Sequence, residues 1–414
     1  MRGPLRAALI LVSSLLPTAA RGMTFDEALA RAVTRPDVTA PDAASSARAS
    51  MDRDLPGRLG NPELVVGLGP GNTLPGFRDI GVEFQATLTQ PWAIEDLGGA
   101  RRRSADAERA WLSTERRRRA LEQRRHAARA WLALWTAQRL HHVAHEEADA
   151  AQALAAMLSR GVTAGAAVTG DALEAELAAG EAQARVLDAE GMMAETASAL
   201  AVSTGSAPLP QPTADGDAPS PAIPPQETWA RWVEAAGSLP EVEASAWLAR
   251  AATLVAQESA AGGGSWLSFG AQAVRNSADQ WQLYAMLGLR WSASDRNQRA
   301  RAQALGGAAL AQGDLDAARR RAPAALALAL HEVEHTRAME QLLRERTVPA
   351  AERLTVAREE ALRRGAGTAF EVLRARSARL RARAELTAAE GRRREAELDA
   401  WLLLSALPRG AEAR

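Results

Sequence analysis

The sequence contains no cysteine, which excludes disulfide bridges, thiolate metal sites and a lipid-modified N-terminal cysteine. Lysine is also absent, so arginine supplies the positive charge, and 50 basic residues balance 50 acidic ones. A chain without net charge has no broad field that would attract nucleic acid, and we expect none as a partner. Aromatic residues make up only 4% of the chain, which is low for a large globular core. Alanine-rich stretches instead favour closely packed helices.

The sequence also lacks an apolar run of about 20 residues, the length that a transmembrane helix requires. At the N-terminus, Arg2 and Arg6 precede the apolar segment 7–16 and the small residues 18–20, the three-part pattern of a secretory signal. We therefore expect residues 1–22 to be a signal peptide, with a short membrane anchor as the alternative. The mature chain is then exported, and it would enter a membrane only as strands.

The chain contains two copies of one plan. The segment from Gly165 to Asp171 recurs about 200 residues later from Gly365 to Glu371, and other matches keep the same order, as expected of an internal duplication. A stretch rich in proline, glycine and serine separates the copies and is typical of a linker. We predict a first repeat over residues 23–202, a linker over 203–225, a second repeat over 226–407 and a C-terminal tail over 408–414.

Each repeat is predicted to contain a helix, a strand pair, one long helix and a further helix. Thr24 and Glu27 form the pattern of a capping box at the start of a helix that reaches about residue 51. The strand pairs are predicted at 62–92 and 264–291, and in the second strand of each pair apolar and polar residues alternate with a period of two. In the last strand, Trp281, Leu283, Ala285, Leu287 and Leu289 share one face.

The two long helices are predicted at about 95–160 and 295–364, and each would be roughly 100 Å long. The two shorter helices of a repeat add up to nearly that length, so they can stack end to end beside the long one. A coiled coil or a tunnel wall uses such lengths, whereas a globular domain does not. Pro323 and Pro349 are expected to kink or break the second long helix.

The predicted strands indicate a membrane protein that must form oligomers. A strand of about 10 residues with one apolar face matches an outer-membrane strand, and a sheet inside a bilayer must close on itself. Four strands cannot close, because membrane barrels begin at about eight. A dimer would supply eight strands and a trimer twelve, and the pattern does not choose between them. Small soluble hairpins beside a coiled coil are the alternative.

Three motifs resemble the TolC-like outer-membrane efflux family over nearly the whole mature chain. They are an opening run (Thr24-Phe-Asp-Glu-Ala-Leu29), a strand-to-helix exit (Leu88-Thr-Gln-Pro-Trp92 followed by Gly98-Gly-Ala-Arg-Arg102) and a hairpin tip (Gly365-x-x-Thr368-x-x-Glu371). The first repeat departs from the tip pattern, with Val168 where serine or threonine is usual. Gly60-Asn-Pro-Glu-Leu64 is similar to the heavy-metal efflux branch.

The resemblance implies a mainly α protein with a small β part, in which long antiparallel hairpins build an α-barrel below four membrane strands per subunit. It further implies a homotrimer in outer-membrane lipid with a long periplasmic extension. A periplasmic adaptor and an inner-membrane pump of the RND type would complete the efflux system. The alternative function is a periplasmic coiled-coil adaptor, although the duplicated hairpin favours the channel. Metal ions, drugs and polypeptides all stay open as the cargo.

The resemblance assigns residues to three kinds of site. Adaptor contacts are expected at the hairpin tips, at Arg160, Gly165, Arg364, Gly365 and Thr368. Asp171 and Glu371, one turn inside the next helices, would form acidic rings in a trimer, or they simply complement a helix dipole. Trp92 and Trp291 fit an aromatic girdle at the membrane interface, or ordinary packing at a strand end.

Histidines raise the question of a metal site. His141 and His145 are spaced four residues apart, as are His331 and His335, and the second pair matches the H-E-x-x-H pattern of zinc proteases. A zinc site needs a third or fourth ligand, and the sequence supplies no downstream motif for one. We interpret both pairs as ordinary helix faces, and we predict no metal, no cofactor and no enzymatic activity.

Overall fold

A computed structural model of the protein describes residues 22–53, 59–72, 80–165, 167–207, 211–275, 280–290 and 296–408. The first repeat contains α1 (Phe25–Val33), α2 (Pro36–Arg53), β2 (Glu63–Asn72), β3 (Ile80–Ala93), α3 (Leu97–Thr163) and α4 (Thr169–Thr204). The second contains α5 (Trp229–Ala235), α6 (Pro240–Gly262), β5 (Trp266–Arg275), β6 (Trp281–Arg290), α7 (Gln298–Leu342), α8 (Val348–Arg363) and α9 (Ala369–Ser405). Two-residue strands β1 (Gly22–Met23) and β4 (Thr213–Ala214) pair in parallel. The predicted signal peptide lies outside the described residues except for Gly22.

Prolines divide the first helical segment of each repeat. Thr24 caps α1 as its pattern predicts, since its hydroxyl accepts a hydrogen bond from the Glu27 amide at 3.3 Å. The expected single helix is nevertheless interrupted, because α1 ends at Val33 and α2 begins at Pro36. Proline lacks an amide N–H and disfavours helical geometry in the residue before it, which favours Pro36 as the first residue of a helix. Pro240 begins α6 in the same way.

The long helices have the predicted extent. α3 has 67 residues, which corresponds to about 100 Å. In the second repeat, α7 and α8 are joined without a gap by a π-helical turn, Leu343–Thr347. Pro323 lies inside α7 and does not break the helix, whereas Pro349 directly follows the π turn. The wider turn changes the hydrogen-bond pattern where proline has no N–H to donate.

The described residues fall into two compact units. The sheet unit is drawn from Pro36–Arg119, Ala230–Leu326 and Ala406–Arg414. Its strands form one antiparallel sheet in the order β2-β3-β5-β6, so the hairpins of the two repeats pair through β3 and β5. The arginine-rich start of α3 pairs with acidic residues of α2 and α6: Arg116 with Asp42 at 2.9 Å, and Arg117 with Glu243 at 2.9 Å.

The hairpin unit is drawn from Met1–Arg35, Ala120–Trp229 and Ala327–Ser405. Its largest fully buried side chain is Trp131 of α3, which packs edge-on against Phe25 and donates its indole N–H to the Met23 carbonyl at 2.7 Å. Ala218, in the predicted linker, joins the same apolar cluster. The linker therefore contributes a short strand and a core residue to this unit.

Ion pairs lie between the helices of the hairpin unit. The Asp399 carboxylate of α9 accepts hydrogen bonds from Arg125 of α3 at 2.7 and 2.6 Å, and from Arg129 at 3.0 Å. Burial by itself would raise the pKa of Asp399, but the two arginines outweigh it and lower that pKa below its usual value. Glu397, two residues before Asp399 and almost wholly buried, accepts hydrogen bonds from Arg393 at 2.8 Å and from Arg337 at 3.0 Å.

Candidate membrane sheet and hairpin ends

One face of the sheet is apolar and exposed. The register places Leu64 beside Leu88, Leu88 beside Ala271 and Ala271 beside Ala285, so one apolar row crosses all four strands. The structure confirms β6 as the strand that its alternation predicts, and Leu283, the third residue of that strand, is 80% exposed. Large apolar side chains are rarely exposed over so wide a surface unless another molecule or lipid covers them.

The opposite face of the sheet is mostly polar. It carries Gln85, Thr87 and Thr89 of β3, next to Gln272 of β5 and Tyr284 of β6. Side chains of successive strand residues point to opposite faces, so each ten-residue strand contributes to both surfaces. An apolar face backed by a polar one is the pattern of a sheet between lipid and a water-filled lumen.

Tryptophans mark both ends of the apolar face. Trp92 ends β3 at one end, and Trp281 begins β6 at the other, edge-on to Phe84 with ring centroids 6.2 Å apart. Trp281 lies in the row of Phe84, eight residues from Trp92, a distance of about 27 Å along the strand. This is comparable to the roughly 25 Å apolar band of outer-membrane proteins. Trp291, the other predicted girdle residue, lies outside the described residues, and the sequence analysis did not assign Trp281 to this role.

The sheet has two edges without a strand partner. β2 and β6 are its outer strands, and each is paired on one side only within the described residues. An open strand edge presents backbone N–H and C=O groups that require hydrogen-bond partners, above all in a lipid environment.

The two hairpin turns have matching backbones. Gly165 and Gly365 both adopt a left-handed conformation with φ of 70°, where a side chain would be strained. In each turn the glycine amide donates to a helix carbonyl at 3.0 Å, Val162 in the first and Leu362 in the second. The five predicted adaptor contacts, Arg160, Gly165, Arg364, Gly365 and Thr368, are all exposed. The two repeats therefore share the backbone geometry of their hairpin turns.

The two predicted ring residues have different surroundings. Glu371 forms a capping box with Thr368, since the Glu371 amide donates to the threonine hydroxyl at 3.2 Å and the Glu371 carboxylate accepts from the Thr368 amide at 3.3 Å. Arg358 also lies 3.3 Å from that carboxylate. In the first repeat Val168 occupies the capping position and makes no side-chain bond. Asp171 is half-buried in the first turn of α4, and the described residues give it no ion pair.

The hairpins pack together beside their turns. Leu154 and Leu158 of α3, Ala175 of α4 and Ala369 and Leu373 of α9 form one buried cluster. The repeat is not equivalent here, because Leu373 is 7% exposed whereas Leu173, its counterpart on α4, is 61% exposed.

An exposed seam of small and apolar residues runs along α4. Its members, spaced alternately by four and three residues, are Leu173, Leu177, Gly180, Ala184, Leu187 and Gly191. This spacing is the heptad pattern with which one helix packs against another. Several counterparts on α9, Leu373, Leu380 and Gly391, are buried within the chain. The seam on α4 is thus a packing surface without a partner helix within the described residues.

The structure separates the two histidine pairs. Ligand atoms of His141, His145 and Glu190 of α4 lie within 4.8 Å of one another. His331 and His335 gain no such third ligand among the described residues. The sequence alone missed Glu190, because it is 45 positions away from His145 and approaches only through the packing of α4 on α3.

Comparisons with known proteins agree on one fold. The model of the outer membrane efflux protein family matches residues 28–206. The solved structure of CusC matches 92% of this chain and 91% of its own, with a TM-score of 0.73 and 16% identity. The outer-membrane channel OprN matches 92% and 90%, with a TM-score of 0.75 and 15% identity. VceC, an outer membrane protein of Vibrio cholerae, matches 92% and 95%, with a TM-score of 0.69 and 16% identity.

A search among curated proteins finds no match. Within the described residues, none of the helices combines the length and apolar character needed to cross a membrane.

The long helical hairpins and the amphipathic four-stranded sheet define the fold of an outer-membrane channel subunit. The match of the outer membrane efflux protein model to residues 28–206 and the shared fold make the chain similar to the TolC-like outer membrane efflux proteins. The fold and the outer-membrane localisation expected from the resemblance are confirmed. The function is that of an efflux channel subunit and not of a periplasmic adaptor.

Proposed function

We propose that this protein is the outer-membrane component of a tripartite efflux system and acts as a homotrimeric, passive export conduit. Each subunit would contribute four strands to a twelve-stranded barrel, and the helical hairpins would form a tunnel in the periplasm. A periplasmic adaptor would bind the hairpin turns, and an inner-membrane pump of the RND type would supply the energy. The conduit needs neither a cofactor nor a catalytic residue.

The observation that carries this proposal is the amphipathic sheet with two open edges. Its apolar face suits lipid, but an unpaired backbone group in a bilayer costs several kcal/mol. Copies of the chain can satisfy these edges if β6 of one subunit pairs with β2 of the next. The barrel then closes only when the number of subunits completes the ring.

The seam on α4 supports assembly through the helices as well. Its counterpart on α9 is covered within the chain: a side chain added at Gly391 would collide with Thr136 of α3, 2.4 Å away. A side chain added at Gly191 on the seam would meet no atom of another helix within 4 Å. In the internal repeat, the α7–α8 segment is the counterpart of α3. We therefore infer that the seam on α4 packs against the α7–α8 segment of a neighbouring subunit, as α9 packs against α3 within the chain.

Cell fractionation and mass measurement test the proposal together. Membranes from cells expressing the full chain are separated by density, and the protein is extracted in mild detergent for native mass spectrometry. We expect it in the outer-membrane fraction with three times the mass of the mature chain, and with conductance in planar bilayers. A soluble periplasmic monomer would contradict the proposal, and a dimer would contradict the twelve-stranded barrel.

Conductance measurements also test the proposed acidic rings. Arg358 offsets the charge of Glu371, so Asp171→Asn is expected to lower cation selectivity more than Glu371→Gln does. Both substitutions preserve side-chain size and remove one charge per subunit. Unchanged selectivity in both variants would assign Asp171 and Glu371 to helix capping and dipole interactions alone.

A further inference from the structure

We propose that His141 and His145 of α3 and Glu190 of α4 form a binding site for a divalent transition-metal ion of the Zn²⁺ type. The two imidazoles lie on one face of α3, four residues apart, with ring centroids 4.5 Å apart. The His141 Nε2 atom is 3.9 Å from a carboxylate oxygen of Glu190. Three ligand atoms from two helices thus face one small volume, with all separations within 4.8 Å.

These separations are close to those of a bound ion. Zinc binds imidazole nitrogen and carboxylate oxygen at about 2.0–2.2 Å, which places the ligands of a tetrahedral site roughly 3.4 Å apart. The side chains therefore need to move by only about 1 Å, and their partial exposure leaves room for that rotation. Solvent can supply the fourth ligand.

The backbone around the site is held in register by neighbouring contacts. Ala148 and Ala151 of α3 pack against Ala182 and Val186 of α4, and their small side chains allow the helices to approach closely. Two residues after His145, the buried carboxylate of Glu147 forms an ion pair with the partly exposed Arg185 of α4 at 2.7 Å. The helices thus fix the backbone positions of the three ligand residues before any ion binds, which lowers the entropy lost on binding.

The donor set decides the class of ion. Two nitrogens and one oxygen suit zinc and its neighbours in the first transition series, whereas Mg²⁺ and Ca²⁺ prefer oxygen ligands only. Because it joins two helices, the bound ion would stabilise the packing of α4 on α3. The site does not depend on which cargo the channel transports.

Zinc binding to the purified full chain, produced without a histidine tag, tests the proposal. Equilibrium dialysis in detergent at neutral pH is expected to find a site for one Zn²⁺ per chain with micromolar or tighter affinity, and Co²⁺ at this site should give the visible absorption of a low-coordinate complex. His145→Ala and Glu190→Gln are each expected to weaken binding at this site by about tenfold or more, since each removes one of three ligands.

The second histidine pair supplies a matched control. His335→Ala removes one histidine of the same helical spacing but leaves the three-ligand site intact, so it is expected to preserve the binding. Circular dichroism and native mass verify that each variant folds and assembles. Equal affinity in the wild type, His145→Ala and Glu190→Gln would overturn the proposal, as would an equal loss of binding in His335→Ala. A zinc-dependent rise in melting temperature that disappears in Glu190→Gln supports it further.

Discussion

At the scale of residues, Asp399 shows how charged side chains connect the helices of the hairpin unit. It receives hydrogen bonds from two arginines of α3 while its side chain is only 14% exposed. Hydrogen bonds to charged groups contribute about 1.5–3 kcal/mol each when they are well formed. A neutral amide in the same place keeps the shape but loses the charge.

We predict that Asp399→Asn lowers the free energy of unfolding at neutral pH by about 2 kcal/mol, measured by denaturant titration and circular dichroism. The folded-state pKa of Asp399 is lowered, so its contribution is present above the unfolded-state pKa of about 4 and is lost as the pH falls through the folded-state value. The difference from the wild type should therefore shrink at acid pH. A difference independent of pH would contradict this account.

Two glycines in equivalent positions of the repeat differ in their surroundings. Gly391 is buried against Thr136, and Gly191 is exposed. We predict that Gly391→Ala destabilises the protein by about 1–3 kcal/mol through overpacking. Gly191→Ala should be neutral or stabilising by up to about 1 kcal/mol, because alanine has the higher helix propensity. Denaturant unfolding of the matched pair measures both, and equal effects would show that the two sites are packed alike.

At the scale of elements, β6 defines the lipid face most clearly. We predict that Leu283→Arg on the apolar face, two residues from Trp281, costs about 1–2 kcal/mol in the bilayer, less than at the midplane, and lowers the amount of protein in the outer-membrane fraction. Gln282→Arg, one residue away on the polar face, is the control and should insert normally. Immunoblots of separated membranes measure the difference. Normal insertion of both variants would show that this face does not contact lipid.

Prolines act on the helices in two different ways. At Pro36 and Pro240 they start a helix, and the preceding segment ends before them. Pro323 and Pro349 instead lie within the continuous helical path of the second repeat, and only Pro349 is accompanied by a π turn. The difference follows from context, because α7 and α8 are supported by neighbouring helices such as α9, to which Thr355 donates a hydrogen bond at the Ala375 carbonyl at 3.1 Å.

At the scale of the whole molecule, the exposed seam on α4 is the proposed contact between subunits. We predict that Leu177→Arg reduces the trimer fraction in native mass spectra, because it places a charge in a helix–helix contact. Leu177→Met retains size and apolar character and should assemble normally. The secondary structure of both variants should match that of the wild type. A stable trimer of Leu177→Arg would place the subunit contact elsewhere.

Local sequence patterns were sufficient to predict the secondary-structure elements and their duplication. Period-two alternation predicted the second strand of each pair, and the repeated tip motif predicted the two glycine turns, because these signals depend on residues close together in the chain. The sequence also predicted the long helices, although it did not anticipate the break before Pro36 or the continuity at Pro323. Local propensity does not include the support that a neighbouring helix gives.

Contacts between residues far apart in the sequence could be seen only in the three-dimensional structure. It paired the two hairpins through β3 and β5, covered Leu373 while leaving Leu173 exposed, and brought Glu190 to His141 and His145. Within the described residues α9 packs on α3 and buries Gly391, whereas the equivalent face of α4 stays exposed. Side-chain packing between helices, which no local pattern specifies, selects which face that is.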